Sequence, residues 1–134
     1  MRRGVAALAA AVALAGIGAA AAAEAIAKPV EPPPSRLLVT AREFSLSLSR
    51  PKVAPGQAIV QLYDYGEDPH NLVLQKIGGP TAYTTGVIEP GETGEVRLRL
   101  RQRSRYRLWC SLADHAELGM EAQLRVTRKK RTRH

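Results

Sequence analysis

Apolar residues recur at every second position through much of the chain. Phe44, Leu46 and Leu48 alternate with Ser45, Ser47 and Ser49, and Val60 and Leu62 with Gln61 and Tyr63. Val96, Leu98 and Leu100 alternate with Arg97, Arg99 and Arg101; Tyr106, Leu108 and Cys110 continue against Arg105 and Arg107; Leu124 and Val126 come last. A period of two turns successive side chains to opposite faces of a strand, so each run buries one face and wets the other. Pro55-Gly56, Gly78-Gly79-Pro80 and Pro90-Gly91 supply turns between the runs. No window of useful length has the 3.6-residue period of an amphipathic helix. The pattern predicts an all-β domain of antiparallel strands packed as a sandwich or barrel.

The N-terminus obeys a different rule. After Arg2 and Arg3 the chain is unbroken Ala, Val, Leu, Ile and Gly from Val5 to Ala23, and small residues crowd the end of this run and the positions just past it. Basic, apolar, then small is the layout of a secretory signal peptide, predicted over residues 1–23 with cleavage as late as residue 27. A retained anchor helix is the alternative, since the run is about long enough to cross a bilayer; its alanine content disfavours it. The one cysteine, Cys110, lies far from this region, which excludes a lipid-modified N-terminal cysteine. Four prolines between Lys28 and Ser35 mark residues 24–35 as an extended linker. The β-domain is then expected over 36–127, enough chain for one modest core, with a basic tail over 128–134.

A formal charge of +8 raises the question of nucleic acid, and its distribution answers it. Two of the 20 basic residues belong to the leader and five to the tail, leaving thirteen against twelve acidic residues in between. The folded body is nearly neutral, so a nucleic-acid surface is not expected. The tail is suited to contact with an anionic surface or to remaining a solvated end. The arginines around residues 97–107 read as a solvated sheet face whose stems cover apolar surface.

A lone cysteine in an exported protein cannot form an internal disulfide, and a free thiol there needs a reason. The reason lies in the segment Cys110-Ser-Leu-Ala-Asp-His115-Ala-Glu-Leu-Gly-Met120, which falls between two strand-like runs. A loop can turn all three potential ligands to one point. His70, in Asp-Pro-His70-Asn71 at the start of another predicted strand (70–76), supplies a fourth. Thiolate and thioether are soft donors that favour Cu(I), and imidazole suits both copper oxidation states; two His, one Cys and a weak axial Met is the blue-copper donor set. Zinc competes for any Cys-His site, but the thioether and the lack of a second cysteine disfavour it. Individually, each residue has an ordinary reading as a core or surface side chain; their ordered combination points to a site for one copper ion cycling between Cu(I) and Cu(II).

With these residues in place, the chain resembles the cupredoxins, the group of plastocyanin, azurin, auracyanin and rusticyanin, from about Arg36 to Thr127. The Cys-x4-His-x4-Met spacing is closest to auracyanin and rusticyanin. Pro55-Gly56, His70-Asn71 and Glu89-Pro90-Gly91-Glu92 also fall in the family's order. The resemblance implies an antiparallel Greek-key β-sandwich. It further implies Cys110 as the most covalent ligand, His70 and His115 as equatorial nitrogens and Met120 as the axial sulfur. Asn71 is similar to the family's asparagine that ties the two ligand-bearing segments, with Ser111 as its partner. Ala113, Ala116 and Leu118 would form the apolar patch around the loop histidine where redox partners dock. The sequence departs from the family at Ala113-Asp114, where many relatives have Pro-Gly before the histidine, and at the turn Gln102-Arg103-Ser104. Asp114 would be placed to raise the basicity of the His115 imidazole.

The expected function is therefore that of an exported, monomeric one-electron carrier meeting redox proteins transiently. A copper chaperone or scavenger on the same fold is the alternative, since it would use the same soft ligands. A metal-free adhesive sandwich is a further rival. No enzyme is expected: nothing in the sequence orients Cys110 and His115 as a nucleophile–base pair.

Overall fold

The computed structural model describes residues 4, 7, 9–13, 15, 16, 18–21 and 23–131. The chain divides into two units, Met1–Val30 and Glu31–His134. The predicted leader and the end of the basic tail fall partly outside the described residues. In the first unit the described residues form no helix or strand and are exposed. Among the described residues, no helix is long and apolar enough to cross a membrane.

Among its described residues the second unit contains nine strands: β1 (Ser35–Arg42), β2 (Ser45–Leu48), β3 (Lys52–Val53), β4 (Gly56–Asp64), β5 (Val73–Lys76), β6 (Ala82–Thr84), β7 (Thr93–Leu100), β8 (Ser104–Trp109) and β9 (Glu121–Val126). They form a four-stranded sheet in the order β2-β1-β4-β7 and a five-stranded sheet in the order β3-β9-β8-β5-β6. The alternation along the sequence is visible in burial. Along β7, Leu98 and Leu100 point inward while Arg97 and Arg99 are exposed. Leu37, Val39, Ala41, Val60 and Leu62 from the first sheet meet Leu74, Leu108, Leu124 and Val126 from the second, with Leu72 just before β5, in one apolar core.

Most of the described strand pairings are antiparallel, as expected, and two are parallel. β1 runs parallel to β4 over seven residue pairs, from Ser35↔Ala58 to Ala41↔Asp64, and β3 runs parallel to β9. Alternation encodes which face is buried and carries no information about the direction of the neighbouring strand. Residues 43–55, which include β2 and β3, provide the long connection that parallel neighbours require.

Phe44, His70 and Cys110, each expected within a strand, lie outside the ladders, at or beside the cluster of candidate ligands. Phe44 stands in the β1–β2 turn, His70 makes an isolated bridge with Ile88, and Cys110 comes just after β8. The backbone around His70 pairs with the β6–β7 connection instead, His70 N–H donating to Ile88 O at 3.0 Å and Ile88 N–H to His70 O at 2.7 Å.

Candidate metal centre

β4 carries the chain out through Asp64 into a loop that ends at His70, and β8 and β9 carry the loop from Cys110 to Met120. The β8–β9 loop is shaped by its own backbone. His115 N–H donates to Leu112 O, Leu118 N–H to Asp114 O and Gly119 N–H to Ala116 O, at 3.0–3.1 Å. The ends are closed by Cys110 N–H to Met120 O at 3.1 Å and Met120 N–H to His115 O at 3.0 Å. The backbones of Cys110, His115 and Met120 are thus linked in one hydrogen-bonded unit. Gly119, at φ +122°, allows the loop to close against the β1–β2 turn, since a Cβ there would stand 2.9 Å from Phe44 O.

Cys110 Sγ lies 4.0 Å from His70 Nδ1 and 3.5 Å from His115 Nδ1. The donor atoms of the three residues all lie within 4.8 Å of one another. Metal–nitrogen and metal–sulfur bonds of about 2.0–2.3 Å separate neighbouring donors by roughly 3.5 Å, so the cluster has the dimensions to surround one ion. Its soft sulfur and two imidazoles fit copper. His70 and Cys110 are fully buried, as is Met120 at the core end of the loop; His115 is half-buried. The imidazole of His115 packs at 5.1 Å between ring centroids from both Phe44 and His70.

Asn71 and Ser111 join the two loops. Asn71 Nδ2 donates to Ser111 Oγ, and Ser111 N–H donates to Asn71 Oδ1, both at 2.8 Å. This reciprocal pair fixes the spacing between the neighbour of His70 and the neighbour of Cys110. Such bonds orient the groups that touch a metal. Of the residues expected at a docking patch, Ala113 and Leu118 are exposed and Ala116 is half-buried. Ala113 adopts a left-handed φ of 43°. Asp114 is exposed, and among the described residues no hydrogen bond or ion pair joins its carboxylate to His115.

The carboxylate that reaches a ligand imidazole is that of Glu43, a residue no sequence motif singled out. Its Oε1 lies 2.9 Å from His70 Nε2 and accepts the N–H groups of Glu67 at 2.9 Å and Asp68 at 2.7 Å. The Asp68 N–H, with those of Glu67 and the His70 ring, lowers its pKa from 4.5 to about 2 against the opposing effect of burial. The Nε2 proton of His70 is thereby committed to Glu43, which leaves the Nδ1 lone pair facing Cys110. Asp64 is fully buried behind the same ring, its Oδ1 4.0 Å from His70 Nε2. Asp64 had a legible signal, because it continues the inward phase of Ala58, Val60 and Leu62 along β4. Glu43 had none, since it stands in a turn 27 residues before its partner.

No family model matches the sequence, and no curated protein matches it. Solved structures do. The dithionite-reduced auracyanin of Roseiflexus castenholzii superposes with a TM-score of 0.57 at 15% identity, covering 69% of this chain and 97% of that one. Auracyanin B gives 0.56 at 20% identity over 73% and 93%. Auracyanin A, a "blue" copper protein of Chloroflexus aurantiacus, gives 0.56 at 14% identity over 71% and 100%. A multicopper oxidase is matched at a TM-score of 0.54 and 15% identity, over 72% of this chain and 45% of the oxidase. The sandwich therefore has the auracyanin fold, a cupredoxin fold.

Proposed function

We propose that this protein is an exported copper protein that carries single electrons between redox partners. His70 Nδ1, Cys110 Sγ, His115 Nδ1 and the thioether of Met120 hold one copper ion. The observation that carries the reading is the convergence of Cys110 Sγ with two Nδ1 atoms, 3.5 and 4.0 Å away, at the end of an apolar core. Copper, when bound, supplies a one-electron step between Cu(II) and Cu(I). The protein's part is to keep its donors still. The backbone unit linking Cys110, His115 and Met120, together with the Asn71–Ser111 pair, opposes any rearrangement between the two oxidation states. His115 is the least buried of the four side chains, with exposed Leu118 nearby in sequence, so electrons are expected to enter and leave there. A brief encounter needs only a small apolar contact of this kind.

Burial of His70, Cys110 and Met120 favours a carrier over a protein that hands its metal on. Voltammetry of the copper-loaded protein, before and after incubation with a mild Cu(I) chelator, separates the two. A carrier gives a reversible one-electron wave that survives the chelator. Loss of the metal at the first reduction would identify a delivery or scavenging protein. Export is supported by the leader-like N-terminus and is tested by N-terminal sequencing of the mature protein, which is expected to begin after residue 23 to 27. An intact N-terminus would count against cleavage.

A further inference from the structure

Closing the loop between β4 and His70 does not explain why residue 43 is an acid. The N–H groups of Glu67 and Asp68 and the Nε2–H of His70 need only an acceptor, which a neutral amide oxygen would provide. What Glu43 adds is a negative charge in hydrogen-bond contact with a buried imidazole. Its side chain is 25% exposed, against 0% for His70. The surrounding residues are arranged to admit it. Gly66 lies under the carboxylate, where a Cβ would collide with Glu43 Oε1. The fully buried Asp64 accepts the Gly66 N–H at Oδ1, at 2.8 Å. Its Oδ2 is the only buried side-chain polar atom without a hydrogen-bond partner among the described residues. An acceptor left unpaired in the interior needs an explanation, and this one belongs to a second carboxyl group facing the same imidazole.

Resting on the copper reading, we infer that Glu43 is a positioning residue that sets the reduction potential of the site. Its carboxylate takes the Nε2–H of His70 in a charge-assisted hydrogen bond and fixes Nδ1 as the metal-facing nitrogen. It also makes that nitrogen the stronger donor, holding the potential down. A more basic imidazole and a nearby negative charge both stabilise Cu(II) more than Cu(I). Gly66 is the partner that makes the approach sterically open.

The test is a spectroelectrochemical titration of the full-length copper-loaded protein, at one pH, for wild type, Glu43→Gln, Gly66→Ala and Glu95→Gln. Glu43→Gln keeps an acceptor for all three N–H groups and removes the charge. It is expected to lower the ratio of Cu(II) to Cu(I) affinity about tenfold, a rise of about 59 mV for one electron. Gly66→Ala leaves Glu43 chemically intact but pushes it off the imidazole, and shifts the potential in the same direction. Glu95→Gln removes the same formal charge from the exposed pair with Arg97 on β7 and leaves the potential in place. An unchanged potential in Glu43→Gln, with the wild-type copper–thiolate absorption retained, overturns this inference and spares the copper reading. An equal shift in Glu95→Gln also overturns it, by assigning the effect to net charge. Failure of wild type to take up copper overturns both.

Discussion

Glu43 holds the His70 ring at Nε2, and Nδ1 faces Cys110 Sγ 4.0 Å away. The same Glu43 carboxyl makes the apo-protein acid-sensitive in a defined window. Its folded pKa of about 2 lies below the ordinary 4.5. A lowered pKa contributes stability that is full above the unfolded value and is lost as the pH falls from about 4.5 to about 2. Acid unfolding of the metal-free protein followed by circular dichroism is expected to be steeper in that window for wild type than for Glu43→Gln. Identical slopes would contradict the assignment. Asn71 has a different office, joining two loops through two bonds of 2.8 Å. Asn71→Ala should destabilise the fold by about 1–3 kcal/mol and speed copper loss without abolishing copper uptake, as read by denaturation and by chelator-challenge kinetics.

At the scale of elements, the β1–β2 turn supports both histidines, Glu43 touching His70 and Phe44 packing on His115. The β8–β9 loop must close against that turn, and Gly119 is where it does so. Gly119→Ala combines a Cβ 2.9 Å from Phe44 O with an unfavourable φ. We expect a cost of about 1–3 kcal/mol, measured by urea unfolding, and a shifted copper spectrum from the displaced loop. A variant as stable as wild type with an unchanged spectrum would show that the contact does not constrain the loop. These elements also mark what the sequence could convey. Period-two runs located β4, β7, β8 and β9, because each lines a core that rewards alternation. The ligand spacing 110–115–120 was legible because one loop contains all three residues. The parallel β1–β4 pairing and the reach of Glu43 to His70 were not, since both depend on tertiary approach rather than local pattern.

For the whole molecule, the ligand cluster and the arginines differ in role. Arg107 lies over the Trp109 ring, 4.4 Å from its centroid, and pairs with Glu121 at 2.8 Å. Arg97 pairs with Glu95. Exposed pairs of this kind contribute little to stability, and they fit a solvated sheet face. The proposed docking surface is instead the edge near His115, where Leu118 is 51% exposed. Leu118→Asp places a charge where the docking partner would bury apolar surface. It should slow electron exchange about tenfold, equivalent to about 1.4 kcal/mol, with the visible spectrum unchanged; an unaltered rate would remove Leu118 from the docking edge. The central claim, a copper ion bound through the Cys110 thiolate, is tested most directly by visible absorption of the purified protein with Cu(II), beside Cys110→Ser. A copper–thiolate site gives an intense blue or green band that ascorbate bleaches and the variant lacks. Copper uptake with the same spectrum in both proteins, or no uptake by either, would contradict it.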